Sequence, residues 1–194
     1  MRFFRDFIVP ILVALAVFAI FHATVGSFKV YGSSMLPGTE EGDYIMVNKA
    51  AYFFNEPKYG DIIVFQSPQN PESDLIKRVI AVPGDTVEIR DDKVLLNDAP
   101  LVEPYTLEPF HYLMPPREIP ADNYFVLGDN RNNSADSRKG WTVPRENVIG
   151  KAWITYWPPY RWRLTEHYKL NADTQAAEVG NPSLVVMKKP CLTR

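Results

Sequence analysis

A mainly β fold behind a single N-terminal transmembrane helix is what the sequence predicts, on two observations. From Phe7 to Val25 the chain is apolar and carries no formally charged residue, close to the about 20 apolar residues a helix needs to cross a bilayer core. Beyond this run the pattern turns strand-like: short β-rich stretches are separated by Pro, Gly, Asn and Asp, as in an all-β domain of antiparallel sheets.

The apolar run comes first. A cleavable secretory leader has a similar basic start but a shorter apolar core and a small-x-small cleavage site. Ala23-Thr24-Val25-Gly26 is a poor version of such a site, so residues 7–26 are read as a retained anchor. Arg2 and Arg5 precede it, and the positive-inside bias then keeps residues 1–6 cytoplasmic and the rest outside. Lys29 weakens that bias without reversing it, and His22 falls near the far interface.

The domain that follows spans residues 27–163. Its predicted strands are Tyr44 to Val47, Asp61 to Phe65, Ile76 to Val82, Thr86 to Ile89, Lys93 to Leu96, Tyr124 to Leu127 and Trp153 to Tyr156. Gly42-Asp43 and Gly60-Asp61 supply turn residues ahead of two of them, and Pro83-Gly84-Asp85 ends another. The block at about 86–122 reads as a surface excursion or small subdomain, because Ala99 to Pro120 is rich in proline and poor in alternation. Trp153, Tyr156, Trp157, Tyr160 and Trp162, broken by Pro158-Pro159, read as partly a lipid-interface belt and at least half core. Residues 164–194 show no assignable pattern.

Composition excludes several functions. The formal net charge of the 194 residues is −2, and no basic run interleaves with aromatics, so nucleic acid is not a partner. Cys191 is the only cysteine, which rules out an intramolecular disulfide or a cysteine metal cluster. His22, His111 and His167 lack zinc-site spacing, and neither a metal nor a cofactor is expected.

Two residues carry chemistry. Val30-Tyr31-Gly32-Ser33-Ser34-Met35-Leu36-Pro37 places a candidate nucleophile, Ser34, a few positions beyond the anchor and so close to a lipid surface. Lys77 lies in the apolar stretch Leu75 to Val82, where desolvation favours the neutral, basic amine. A serine and a neutral lysine together point to a hydrolase that works without histidine. Taken singly, the serine is also an ordinary turn residue and the lysine one that snorkels at a strand edge.

Five segments in order behind an anchor carry a family resemblance. They are Val30-x-Gly32-x-Ser34-Met35-x-Pro37, Gly42 to Val47, Tyr59 to Phe65, Lys77-Arg78-Val79 through Pro83-Gly84-Asp85, and Gly128-Asp129-Asn130-Arg131-Asn132-Asn133-Ser134-Ala135-Asp136-Ser137-Arg138. The chain resembles the bacterial type I signal peptidases, membrane-anchored serine proteases of the Ser/Lys class (the S26 family). The resemblance implies a signal-peptidase-type β domain with Ser34 as nucleophile, Lys77 as general base and Ser134 as the hydroxyl that bonds and orients the Lys77 amine. It further implies loop ion pairs between Asp136 and Arg138 and between Asp129 and Arg78. Phe28, Val30, Met35 and Ile76 would line shallow apolar pockets for small side chains one and three positions before the cut.

The same resemblance implies the substrates, preproteins with N-terminal signal peptides, and a monomeric enzyme in the bacterial cytoplasmic membrane with its domain outside. Two positions depart from the family pattern. Gly32 stands where many Gram-negative members have an oxyanion-binding serine, which leaves the Ser34 main-chain N–H as donor and gives glycine a role through close approach or a positive φ. Gly38 replaces the family's common threonine. No carboxylate of these motifs is expected to act on the Lys77 amine. A dedicated peptidase of the same superfamily, such as a conjugative pilin processor, and a catalytically silent anchored binding protein stay open as alternatives. A self-cleaving Ser/Lys repressor would need a DNA-binding module, and here an anchor stands in its place.

Overall fold

The computed structural model describes residues 2–106 and 108–168. Most of the unassigned C-terminal segment, with Cys191, lies outside these residues. The chain opens with α1, Arg2–Thr24, which passes directly into β1, Val25–Lys29. Strand pairing therefore takes in the last two residues of the expected anchor: Val25 already faces Asn48 and Gly26 faces Val47.

Further along lie β2 (Tyr44–Asn48), β3 (Ile62–Gln66), β4 (Asp74–Ala81), β5 (Thr86–Arg90), β6 (Lys93–Leu96) and β7 (Ala99–Pro100). They are followed by β8 (Met114–Glu118), β9 (Asn123–Leu127), β10 (Val143–Pro144), β11 (Val148–Trp157) and β12 (Arg163–Leu164). One antiparallel sheet runs β1-β2-β11-β3-β4-β9-β10, with β12 on the edge of β11, and a smaller one runs β7-β6-β5-β8.

Side-chain alternation sorts the core. In β3, Ile62 and Val64 join Val30, Met35, Ile45, Val47 and Ala152 on one side, while Ile63 and Phe65 join Tyr52, Val79, Tyr124, Val126 and Val143 on the other. A strand buried on both faces needs an unbroken apolar run, which Ile62-Ile63-Val64-Phe65 supplies. In β9, Phe125 and Leu127 turn to a third cluster with Ile80, Val87, Ile89, Val94 and Leu96. This cluster fastens the small sheet to the large one.

Two expectations are corrected. The proline-rich stretch 99–120 is exposed along most of its length, but it is more than a surface excursion: Leu101, Tyr105, Phe110, Met114 and Ile119 are buried in that third cluster. Its prolines break the strand alternation while the apolar residues between them still anchor the chain. The aromatic group is not half core either. Trp153, Trp157, Tyr160 and Trp162 are all exposed, and only Tyr156 is partly buried, with its hydroxyl 2.6 Å from Ser27 Oγ.

β3 and β11 pair at Gly150↔Val64 and Lys151↔Ile63 and then part. At the next step the chain beyond β12 fills the gap. Thr165 N donates to the Trp153 carbonyl (2.9 Å), Ile62 N donates to His167 Nδ1 (3.1 Å), and His167 Nε2 lies 2.9 Å from the Ala152 carbonyl. Because an amide N–H can only donate and a carbonyl only accept, the ring is the neutral tautomer with its proton on Nε2.

If Ile119 anchors the proline-rich stretch in the core, Ile119→Ala should cost about 2–5 kcal/mol of unfolding free energy by denaturant melt. A change within about 0.5 kcal/mol, usual for a surface position, would contradict its burial.

Candidate active site

Ser34 sits in the turn between β1 and β2. Val30 N bonds the Asp43 carbonyl (2.8 Å) and Gly42 N bonds the Val30 carbonyl (3.0 Å), which extends the hairpin up to that turn. Gly32 then adopts φ +83°, the left-handed region where a side chain is strained, so the positive φ expected there is present. The main chain doubles back with Thr39 N on the Met35 carbonyl at 2.9 Å.

The other half of the site comes from β4. Lys77 is 3% exposed, and its Nζ donates to Ser34 Oγ at 2.6 Å and to the Ile76 carbonyl at 2.8 Å. Burial pulls its pKa from 10.5 to about 8, while the charges of Asp136 and then Asp129 oppose the fall. This corrects the expectation that no carboxylate acts on the amine. Both are held in the buried loop after β9, and neither forms a hydrogen bond with Nζ.

That loop, Gly128 to Arg138, is built from charge. Arg78 Nε and Nη2 grip Asp129 at 2.8 and 2.7 Å, with both side chains almost fully buried, and Arg78 Nη1 donates to the carbonyls of Gly60 and Glu166. Asp136 accepts Arg138 Nε (2.8 Å), Arg138 Nη2 (2.9 Å) and Gly128 N (3.1 Å). Both ion pairs expected from the motif are thus made. Since they are buried, stripping either of one partner would cost about 3–5 kcal/mol, far above the near-zero worth of a surface pair.

Ser134 differs from expectation. Its Oγ is buried without a hydrogen-bond partner among the described residues, and the Lys77 amine is directed to Ser34 and Ile76 instead. The Ser134 side chain packs on the bare Cα of Gly128, where a Cβ would collide with both Ser134 Oγ and the Ser34 carbonyl oxygen. Two residues not singled out from the sequence hold the nucleophile turn. Asn130 donates N to the Ser34 carbonyl (3.0 Å) and Nδ2 to the Ser33 carbonyl (3.1 Å), and Asn133 Nδ2 donates to Ser33 Oγ (2.8 Å). Their only signal in the sequence was membership of the same motif.

A cavity of about 130 Å³ opens beside the pair, lined by Phe28, Val30, Ser34, Ile76 and Lys77 among others. Residues on either side of the β1–β2 turn and in β4 reach one cavity although three strands stand between β1 and β4 in the sheet order, so the large sheet curls. Met35 does not line it. At 1% exposure it packs beneath, against Val30, Ile45 and Val64. The described residues contain no group of three or more His, Cys, Asp or Glu arranged to hold a metal ion. A serine hydroxyl against a desolvated amine, beside a small apolar cavity, is equipped for acyl transfer.

The profile of the family described as signal peptidase, peptidase S26, matches residues 3–157. Over 135 residues the chain is 47% identical to a signal peptidase I of Leptolyngbya laminosa, covering 66% of each sequence. Over 169 residues it is 41% identical to a probable signal peptidase I-1 of Synechocystis sp., covering 83% of this chain and 86% of the relative. A crystal structure of a signal peptidase I from Enterococcus faecalis aligns at 35% identity and a TM-score of 0.45, over 50% of this chain and 97% of the other.

The shifted amine has a consequence for stability. Its folded pKa, about 8, lies below the about 10.4 of an exposed lysine. Between the two values the unfolded chain binds more protons, so stability rises with pH across that window and the burial penalty is fully present below it. Lys77→Met should therefore melt above the unsubstituted chain below pH 8, with a difference that shrinks as pH rises toward about 10.4. A difference independent of pH would rule out burial of the amine as its cause.

Proposed function

The chain belongs to the signal peptidase family, peptidase S26, and is a serine endopeptidase that cleaves signal peptides; on that premise we propose that Ser34 is its nucleophile and Lys77 its general base. The observation that carries this reading is the 2.6 Å contact between Lys77 Nζ and Ser34 Oγ in a desolvated site. With its pKa near 8 the amine is available in the neutral form at mildly alkaline pH.

In the reaction, neutral Lys77 takes the Ser34 hydroxyl proton as Oγ attacks the scissile carbonyl. The oxyanion is met by the Ser34 main-chain N–H, with Gly32 providing the backbone turn. Collapse of the tetrahedral adduct breaks the C–N bond, and the Lys77 ammonium returns its proton to the departing amine. Lys77 then deprotonates a water that attacks the acyl ester, which frees the carboxylate product and restores the serine. The buried hydroxyl of Ser134, without a hydrogen-bond partner among the described residues, supports a role in holding the amine once Ser34 Oγ is esterified. The charge-paired Asp129, Arg78, Asp136 and Arg138 keep the loop in place.

The cavity walled by Phe28, Val30 and Ile76 suits the small residues that precede the cut. Met35 supports that wall from below. The span Arg5–Thr24, with mean hydropathy 2.4 and no buried residues, is long and apolar enough to cross a membrane. We place it across the bacterial cytoplasmic membrane with Met1 inside and the β domain outside, the exposed Trp153, Trp157, Tyr160 and Trp162 resting at the lipid interface.

Ser34→Ala and Lys77→Ala should each abolish cleavage of a preprotein in detergent, and in the native enzyme kcat/KM should fall as pH drops below about 8, as the amine takes up a proton. Residual activity in either variant, or a profile falling only where carboxylates titrate, would sink the dyad.

Orientation is tested separately. Protease added outside spheroplasts should digest the domain beyond residue 27 while a tag at Met1 stays protected until lysis, and a protected domain would reverse the topology.

A further inference from the structure

The proline-rich segment after β7 carries a carboxylate that the reaction does not use. The Glu103 side chain is 9% exposed and faces Arg131, 1% exposed. Arg131 Nη1 donates to Oε2 at 2.9 Å and Nη2 donates to Oε1. Tyr105 OH donates to that same Oε1 at 2.9 Å, and Thr106 Oγ1 bonds the Glu103 carbonyl at 2.9 Å. The carboxylate is thus oriented from its own loop as well as by the arginine.

Arg131 stands inside the loop that faces the nucleophile. Its Nε donates to the Gly128 carbonyl (2.9 Å), its carbonyl accepts Arg138 Nη2 (2.7 Å), and its guanidinium lies 5.3 Å from the ring centre of Phe110. The loop therefore closes on itself through Arg131, directly after the Asn130 that bonds the Ser33 and Ser34 carbonyls. Tyr105 meanwhile lays its ring 4.1 Å from the guanidinium carbon of Arg78, the residue after Lys77. Glu103, Tyr105 and Phe110 between them grip both the loop that holds the nucleophile and the strand that carries the base.

We propose that Glu103 is a positioning residue for the Ser34–Lys77 pair, acting through Arg131 and the loop Gly128 to Arg138. Without Glu103 a guanidinium would be buried with its principal counter-charge gone, a state so costly that the loop shifts to hydrate it or to share Asp129. A displacement of about 1 Å at a catalytic geometry costs on the order of a hundredfold in rate. Substrate contacts along Phe28, Val30 and Ile76 lie in other elements. The loss therefore falls on turnover and spares binding. This inference rests on the Ser/Lys reading, which Ser34→Ala and Lys77→Ala test independently.

The experiment uses the full chain in detergent with a preprotein substrate, at a temperature where circular dichroism shows each variant folded. Glu103→Gln should lower kcat by about tenfold or more while KM stays within about twofold, and Glu103→Asp should recover part of the loss. The double variant Glu103→Leu/Arg131→Met removes both charges at once, an exchange that buried pairs often tolerate. It should regain the native melting temperature yet keep a low kcat, because a methionine at 131 cannot donate to the Gly128 carbonyl as Arg131 Nε does and the loop stays open there; a purely structural role would not produce that split. Native kcat in folded Glu103→Gln, or full turnover in the apolar double variant, overturns the proposal and leaves the dyad standing.

Discussion

An ammonium in water is solvated through three donors, and removing it to a protein interior costs several kcal/mol unless a carboxylate takes over that role. Lys77 is buried, and among the described residues its amine has only a hydroxyl and one carbonyl as hydrogen-bond partners. If a carboxylate touched it, the amine would stay charged and could not act as a base. If none stood near, its pKa would fall further and the chain would be harder to fold. The arrangement lies between these limits, with Asp129 and Asp136 close enough to raise the value but each engaged by its own arginine.

Much of the rest of the site follows from keeping those two acids occupied. Arg78 is bidentate to Asp129 and lies beside the paired rings of Tyr105 and Tyr168, 4.1 and 5.1 Å from their centres. Arg138 holds Asp136, and Asp136 in turn holds the amide of Gly128. Arg131 and Glu103 make a third buried pair in the same loop region. Glycine at 128 leaves the space in which the serine turn and Ser134 approach the loop. In this region the chain is ordered by electrostatics more than by apolar contact.

Strand signals were plain in the sequence wherever a run was apolar on one or both faces, as in β3, β4 and β9. Met114-Pro115-Pro116-Arg117-Glu118 was missed because two prolines and two charges conceal a strand that pairs only with β5. β1 was missed because Val25 and Gly26 continue the apolar composition of the anchor. The residues carrying chemistry were legible because each sits in a contiguous motif. That Lys77 turns away from Ser134 was not, because the direction of an amine with four flexible bonds is settled by its neighbours. Glu103 was invisible for a different reason: a lone acid among prolines reads as solvated, and only the fold reveals the arginine it meets. The exposed tryptophans were misjudged because aromatic composition alone does not distinguish a core from a surface.

The bridge at His167 bears on how the chain behaves among copies of itself. Where β3 and β11 separate, the next rung of their ladder would leave the Ile62 amide and the Ala152 carbonyl bare, an opening inside a sheet able to accept a strand from another molecule. An imidazole has one acceptor and one donor on opposite sides of a rigid ring, so it satisfies both groups without a strand of its own. The gap is closed by this side chain together with the Thr165 amide on the Trp153 carbonyl, and a lysine or leucine at 167 would leave at least one of the two groups without its partner.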